Sequence, residues 1–100
     1  MEGTDYGYLG IVNNNLGQHG KAIEFHQKHL NIALEFGDRT EEGNAYCALG
    51  SVYGALGQPV KAIEFLRKHL NLALEDGDRP GEAKTYCGLG NAYSDLGQHD

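Results

Sequence analysis

The sequence repeats itself at an offset of 40 residues, and this feature constrains the fold more than any other. Residues 1–40 and 41–80 are identical at 24 of 40 positions, and residues 41–60 and 81–100 at 9 of 20. Self-similarity with a period of about 20 to 50 residues is typical of solenoids, in which each unit buries its apolar face only against its neighbours. The sequence therefore predicts a stack of repeats rather than a domain with one central core.

Each unit shows apolar residues at helical spacing, interrupted by glycines at fixed positions. The first segment is the weakest because it contains several glycines and the run Asn13-Asn14-Asn15. We predict five helices, over residues 3–15, 19–36, 40–55, 59–75 and 81–96. The expected fold class is all-α, a right-handed α-solenoid of antiparallel helix pairs with about two and a half repeats.

The turns between units carry helix-end signals. Gly37 and Gly77 suit the left-handed conformation that ends a helix, and Asp38 and Asp78 suit the cap of the next one. Asp38 followed by Glu41 reads as a capping box, and Pro59 and Pro80 each fit a first helical turn. These signals divide a single array, residues 1–100, into repeat 1 at about 3–38, repeat 2 at about 39–78 and partial repeat 3 at about 79–100.

The last helix has no following helix to cover it. Its apolar residues Leu89, Tyr93 and Leu96 are expected to pack against such a helix. Repeat arrays normally end in an atypical polar cap. We therefore expect the chain to be a fragment of a longer array or a truncated gene model, which alone is either marginally stable or self-associates through this terminal helix.

Composition excludes several partners. The formal net charge is −6 and the isoelectric point is near 5.2, whereas nucleic-acid binding normally requires a basic surface. No apolar run approaches the length needed for membrane insertion, and the N-terminus lacks the pattern of a signal peptide. The expected location is cytoplasmic.

Candidate catalytic and metal-binding residues are few. His26 and His29 are three apart on one helix, but the second unit has Leu66 at the first position, so we interpret them as packing or solvated histidines. Cys47 and Cys87 occupy equivalent positions too far apart for a disulfide, and we expect small free thiols in the groove or core. The pairs Glu24 with Lys28 and Glu64 with Lys68 fit surface ion pairs. No cofactor, metal or catalytic motif is indicated, and the chain is predicted not to be an enzyme.

The repeated residues resemble a known family. Tyr46, Leu49, Gly50, Tyr53, Gly57 and Ala62 follow the tetratricopeptide pattern, whose usual unit has about 34 residues. The 40-residue variant, with GNAY, LGQ, KAIEFHQKHL and GDR, resembles the Partner-of-Inscuteable family (also called LGN) of G-protein-signalling modulators. Asn13 departs from the pattern because the other units have tyrosine there. Helical repeats of the HEAT or armadillo type lack this spacing.

The resemblance to tetratricopeptide clamps implies a concave groove lined by the first helix of each pair. Its lining positions are Thr4, Gly7, Ile11, Asn14, Asn44, Cys47, Ser51, Gly54, Lys84, Cys87, Asn91 and Ser94. Most are small or polar, which suits an extended peptide whose backbone approaches closely. Asn91 matches the position at which the family's asparagines contact the ligand main chain, and Ser51 and Ile11 replace it in the other units.

Three functions are open at this stage. The first is a non-catalytic scaffold that binds an extended peptide, with polarity or spindle-orientation adaptors as the partners that the resemblance implies. The second is a regulatory arm of a larger multidomain enzyme or nucleotide-switch protein. The third is a purely structural repeat fragment.

Overall fold

A computed structural model describes the backbone of residues 2–97 and the side chains of residues 6–97. Thr4, one of the predicted groove residues, lies outside the described side chains. The described chain is all-α, as predicted. Its helices are α1 (Glu2–Asn15), α2 (His19–Phe36), α3 (Arg39–Ala55), α4 (Pro59–Asp76) and α5 (Arg79–Asp95).

The left-handed glycines and the aspartate caps predicted for the turns are present in the structure. Gly37 has a φ of 66°, and this left-handed residue lets the N–H of Asp38 donate to the carbonyl of Ala33 at 2.9 Å. The Asp38 carboxylate then accepts from the backbone N–H of Glu41 at 3.1 Å. Asp78 repeats this cap on the N–H of Gly81 at 3.0 Å. Each glycine–aspartate pair thus ends one helix and begins the next.

The helices stack in a thin layer. α2 packs against both α1 and α3, and α4 packs against both α3 and α5, as expected for helices that are apolar on two sides. Leu30, Ala45 and Leu49 form a buried cluster at the junction of the first two pairs. The extents of the chain are 43 × 33 × 17 Å. In residues 2–97 no helix combines the length and hydropathy needed to cross a bilayer.

Aromatic packing differs between the first two pairs. Phe65 stacks on Tyr53 with ring centroids 5.6 Å apart and also meets Tyr46 at 6.4 Å. Its equivalent Phe25 stacks on Tyr6 at 6.1 Å, and Asn13 stands where the second tyrosine would be. A cleft of about 280 Å³ lies beside Asn13 and Phe25. The predicted loss of an aromatic contact in the first pair is therefore seen in the structure.

The predicted ion pairs of Lys28 and Lys68 are wrong. Within the described side chains, neither lysine pairs with the glutamate four residues before it. Lys28 Nζ lies 5.6 Å from the ring centroid of Tyr6, and Lys68 Nζ lies 5.8 Å from that of Tyr46. The ring face attracts the ammonium and also covers the apolar stem, whereas an exposed ion pair at this spacing contributes only about 0.2–0.5 kcal/mol.

Of the three residues predicted to need a covering helix, the prediction is wrong for Leu89, whereas Tyr93 and Leu96 are half-buried. Leu89 is 8% exposed and therefore buried, because it corresponds to Leu49 and faces the preceding helix pair. Tyr93 is half-buried and its hydroxyl accepts from Arg67 Nη2. Tyr86, at 52% exposure, is a large apolar residue of α5 that is open to solvent.

Candidate functional site

A cleft of about 490 Å³ runs along the first helices of the pairs. One wall comes from α1 and the other from α3, with a contribution from α5. α2 supplies two side chains from behind. The lining residues are Gly7, Tyr8, Ile11, Asn14, His26, His29, Glu41, Asn44, Cys47, Ala48, Ser51, Val52 and Lys84. We call this cleft the groove.

The groove brings together five of the residues selected from the sequence: Asn14, Asn44, Cys47, Ser51 and Lys84. Gly7 and Ile11, also expected there, line it as well. The first helices of three successive units thus contribute to one surface, as expected from the stacking of repeats.

Asn91 lies in a second, smaller cleft of about 280 Å³ between α3, α4 and α5, which also includes Ser51 and Gly54. Ser51 lines both clefts and connects them. Cys87 and Ser94 are exposed on α5 outside these two clefts. The structure therefore separates the predicted set into a group of five, a neighbouring asparagine, and two residues on the open surface.

Hydrogen bonds orient the polar groove residues. Asn44 Nδ2 donates to Glu41 Oε1 at 3.1 Å, and Ser51 Oγ donates to the backbone carbonyl of Cys47 at 3.1 Å. The side chain of Asn14 lies 2.7 Å from a ring nitrogen of His19. These contacts hold the amide and hydroxyl groups at the groove surface, where they can pair with a peptide backbone.

His26 and His29 form part of the groove and were not selected from the sequence as site residues. Both are buried, with exposures of 2% and 6%, and they point from α2 toward α1. His29 Nε2 donates to Glu41 Oε2 at 2.8 Å. Burial and the nearby His29 lower the pKa of His26. The helical spacing of Gly7 and Gly10, which leaves room for the two rings, was the signal available in the sequence.

The second unit arranges its histidine differently. His69 Nδ1 lies 3.0 Å from Thr85 Oγ1, and this hydroxyl donates to the carbonyl of Gly81 at 2.8 Å. Because the Thr85 hydroxyl donates its proton to the Gly81 carbonyl, the proton in its contact with His69 must come from His69 Nδ1. Burial lowers the pKa of His69, as does the positive charge of Lys84, while Asp78 acts in the opposite direction.

The cysteines and histidines do not gather into a metal site. Cys47 is buried and lines the groove, Cys87 is exposed, and both are free thiols. Among residues 6–97, no three histidine, cysteine, aspartate or glutamate side chains are arranged to hold a metal ion.

Comparison with known proteins identifies the repeat. A family model described as tetratricopeptide repeat matches residues 3–75, and a second model with the same description matches residues 83–100. A search of curated protein sequences gave no significant match. Among solved structures, the TPR domain of FLU from Arabidopsis superposes with a TM-score of 0.92. It shares 23% sequence identity with this chain, and the alignment covers 97% of this chain and 82% of that one.

Proposed function

Because the chain belongs to the tetratricopeptide repeat family, we propose that it is a non-catalytic protein-interaction scaffold whose groove binds an extended peptide. Repeats of this kind present extended concave surfaces to their partners. The observation that carries the proposal is the groove itself, a cleft of about 490 Å³ to which the first helices of three successive units contribute polar residues such as Asn14, Asn44 and Ser51 beside apolar ones such as Ile11 and Val52.

The chemistry of the lining supports an extended ligand. Asn14, Asn44 and Ser51 offer amide and hydroxyl groups along the groove, and Gly7 and Ala48 add little side-chain bulk beside them. A peptide backbone presents one donor and one acceptor at nearly every residue, so it can pair with such groups along its length. A helical ligand satisfies its own backbone and would leave these amide and hydroxyl groups without backbone partners.

Panning the chain against a displayed library of random peptides tests this proposal. A selected peptide should bind in fluorescence anisotropy, and Asn44→Ala and Asn91→Ala should each weaken binding by about tenfold, as expected for loss of one to two hydrogen bonds. Asn71→Ala, an exposed asparagine on α4, is the matched control and should leave binding unchanged. Failure to select any peptide that binds more tightly than about 1 mM would favour a purely structural role.

A narrower assignment rests on the repeat residues alone. GNAY, LGQ and KAIEF resemble the Partner-of-Inscuteable family, so we propose polarity or spindle-orientation adaptors as the partner class and the cytoplasm as the location. A panel of peptides from such adaptors, tested beside the selected library peptides, would decide this point. Preference for library peptides over the whole panel would contradict the narrower assignment and leave the scaffold role intact.

Self-association through α5 is a further part of the proposal. Tyr86 is half exposed, and a Cβ added at Gly90 would meet nothing within 4 Å. At the equivalent Gly50 the Leu66 side chain lies against the helix. Sedimentation equilibrium should show a concentration-dependent mass that Tyr86→Ser lowers. A single monomeric mass for both proteins would exclude this contact.

A further inference from the structure

The first helix pair buries two imidazoles one helical turn apart. His26 and His29 are 2% and 6% exposed, and within the part of the chain that the structure describes the Nδ1 atom of each is buried without a hydrogen-bond partner. His29 has its contact with Glu41 through Nε2. Buried polar groups are normally paired, so these two require a physical explanation.

The position of His26 is shaped for an apolar side chain. Its ring lies directly on α1, since a Cβ added at Gly10 would be 2.5–2.7 Å from three ring atoms. In the second unit, Leu66 fills the same place, and a Cβ added at Gly50 would be 2.9 Å from its Cγ. At this position the first unit therefore has a titratable group where the second has leucine, and it lies at the seam on which the attachment of α1 depends.

Among residues 6–97, Glu41 is the one carboxylate that lines the groove together with His26, and it already bonds to His29. The described part of α1, residues 6–15, contains no charged side chain, and Tyr8 is its titratable group in the groove. On α3 the groove contains Glu41, which accepts from His29, and the thiol of Cys47. α5 contributes the cation Lys84, and α2 itself contributes His29.

We propose that protonation of His26 releases α1 from α2 and α3 under mildly acidic conditions, and so opens the wall of the groove that Ile11 and Asn14 line. The expected effect on ligand binding rests on the proposed peptide-binding function. The release of the helix itself requires no ligand.

The direction of the pH effect follows from linkage. The pKa of His26 is lowered in the folded chain by burial and by His29, so the open state binds the proton more readily than the closed one. The closed state is fully favoured above about pH 6.5, the ordinary value, and loses that advantage as the pH falls toward the lowered pKa. One proton can raise the opening equilibrium by at most about tenfold per pH unit.

Hydrogen–deuterium exchange of the whole chain at pH 7.5 and 5.5 tests the proposal, with exchange times scaled for the intrinsic pH dependence. Amides of α1 should lose protection at pH 5.5 relative to those of α3, and His26→Leu should keep α1 protected at both values. His69→Leu, at the histidine of the second unit, should still show the loss in α1. Equal protection of α1 at both pH values in the native chain, or an unchanged loss in His26→Leu, would overturn the proposal.

A variant with a histidine at the equivalent position of the second unit gives an independent check if His26→Leu fails to fold. Leu66→His creates the same arrangement against Gly50, so the α3–α4 seam should become sensitive to acid while α1 keeps its native response. No new sensitivity at that seam would contradict the physical argument.

Binding of a library-selected peptide, measured at both pH values, is a separate readout. If α1 is released but no peptide binds at pH 7.5, the proton response stands and the groove function fails.

Discussion

His29 and His69 occupy equivalent positions in successive units, yet they bond through different ring nitrogens, Nε2 in His29 and Nδ1 in His69. His29 donates from Nε2 to the carboxylate of Glu41 at 2.8 Å. His69 donates from Nδ1 to Thr85 Oγ1 at 3.0 Å, because that hydroxyl already gives its proton to the carbonyl of Gly81. The same residue type at the same place in the repeat thus presents different edges to its neighbours.

Two paired differences between the units account for this reversal. Glu41 corresponds to Gly81, so the second unit has no carboxylate on the Nε2 side of its histidine. Ala45 corresponds to Thr85, which supplies a hydroxyl on the Nδ1 side. Each histidine therefore has one partner, but the partner comes from a different position of the following helix.

The buried hydroxyl of Thr85 is predicted to stabilise the second seam. Thr85→Val keeps the shape of the side chain but leaves His69 Nδ1 unpaired in a fully buried site. We expect the free energy of unfolding to fall by about 1–3 kcal/mol in urea titrations. Ser51→Ala removes an exposed hydroxyl that donates to a backbone carbonyl, and it should cost less than about 0.5 kcal/mol. Equal costs for the two substitutions would argue against a special role for the His69 contact.

Alanine is predicted to have opposite effects at two equivalent glycines. At Gly50 a new Cβ would lie 2.9 Å from Leu66 Cγ, which is too close to the α4 backbone to move aside easily, so we expect a loss of about 1–3 kcal/mol. At Gly90 nothing lies within 4 Å, and replacing a helical glycine should add about 0.5–1 kcal/mol. Thermal unfolding of both variants measures this difference. A shift in the same direction for both would show that helix propensity, not packing, decides the effect.

Restoring the missing aromatic residue should stabilise the first pair. Asn13→Tyr places a ring beside Phe25, in the cleft of about 280 Å³ that Tyr53 and Phe65 close in the second unit. An aromatic pair contributes about 0.5–1.5 kcal/mol beyond its buried area, so the melting temperature should rise by several degrees. Asn15→Tyr, at an exposed position of the same helix, is the control. A comparable rise in the control would contradict the proposed ring contact.

Removal of Lys84 should raise the pKa of His69. Burial is the main cause of its lowered pKa, and the positive charge of Lys84 adds to it. Two-dimensional NMR titration of the imidazole should show a higher pKa in Lys84→Ala than in the native chain. Lys61→Ala, which removes a lysine that lies over the Tyr53 ring, should leave it unchanged.

Lys84→Ala should also reduce the amount by which the free energy of unfolding falls at mildly acidic pH. Because the pKa of His69 is lowered on folding, the unfolded chain binds more protons just below pH 6.5, and the free energy of unfolding falls as the pH decreases through that range. A higher folded pKa in Lys84→Ala makes this fall smaller. An unchanged pH profile in urea titrations would show that Lys84 does not act on His69 in solution.

The repeat, the helices and the family follow from the sequence by itself. Helical spacing of apolar residues, turn glycines and capping aspartates are local signals, because each acts through residues within one or two helical turns. They predicted the ends of α2 and the caps on Glu41 and Gly81 without knowledge of the stacking. The pattern of Tyr46, Leu49, Gly50 and Ala62 was sufficient to indicate a tetratricopeptide repeat, and five groove residues were placed on the correct helices.

Contacts between helices required the tertiary structure. Lys28 lies over the ring of Tyr6, which is 22 residues earlier in sequence, and not beside Glu24. This choice depends on how closely α1 and α2 pack. Three other features likewise depend on which side chains face each other between helices. They are the burial of Leu89, the ring nitrogens through which His29 and His69 bond, and the contact of the His26 ring with Gly10. Near-identical repeats share local signals but differ in a few facing pairs. Those pairs, rather than the repeat pattern, decide the electrostatics of the groove.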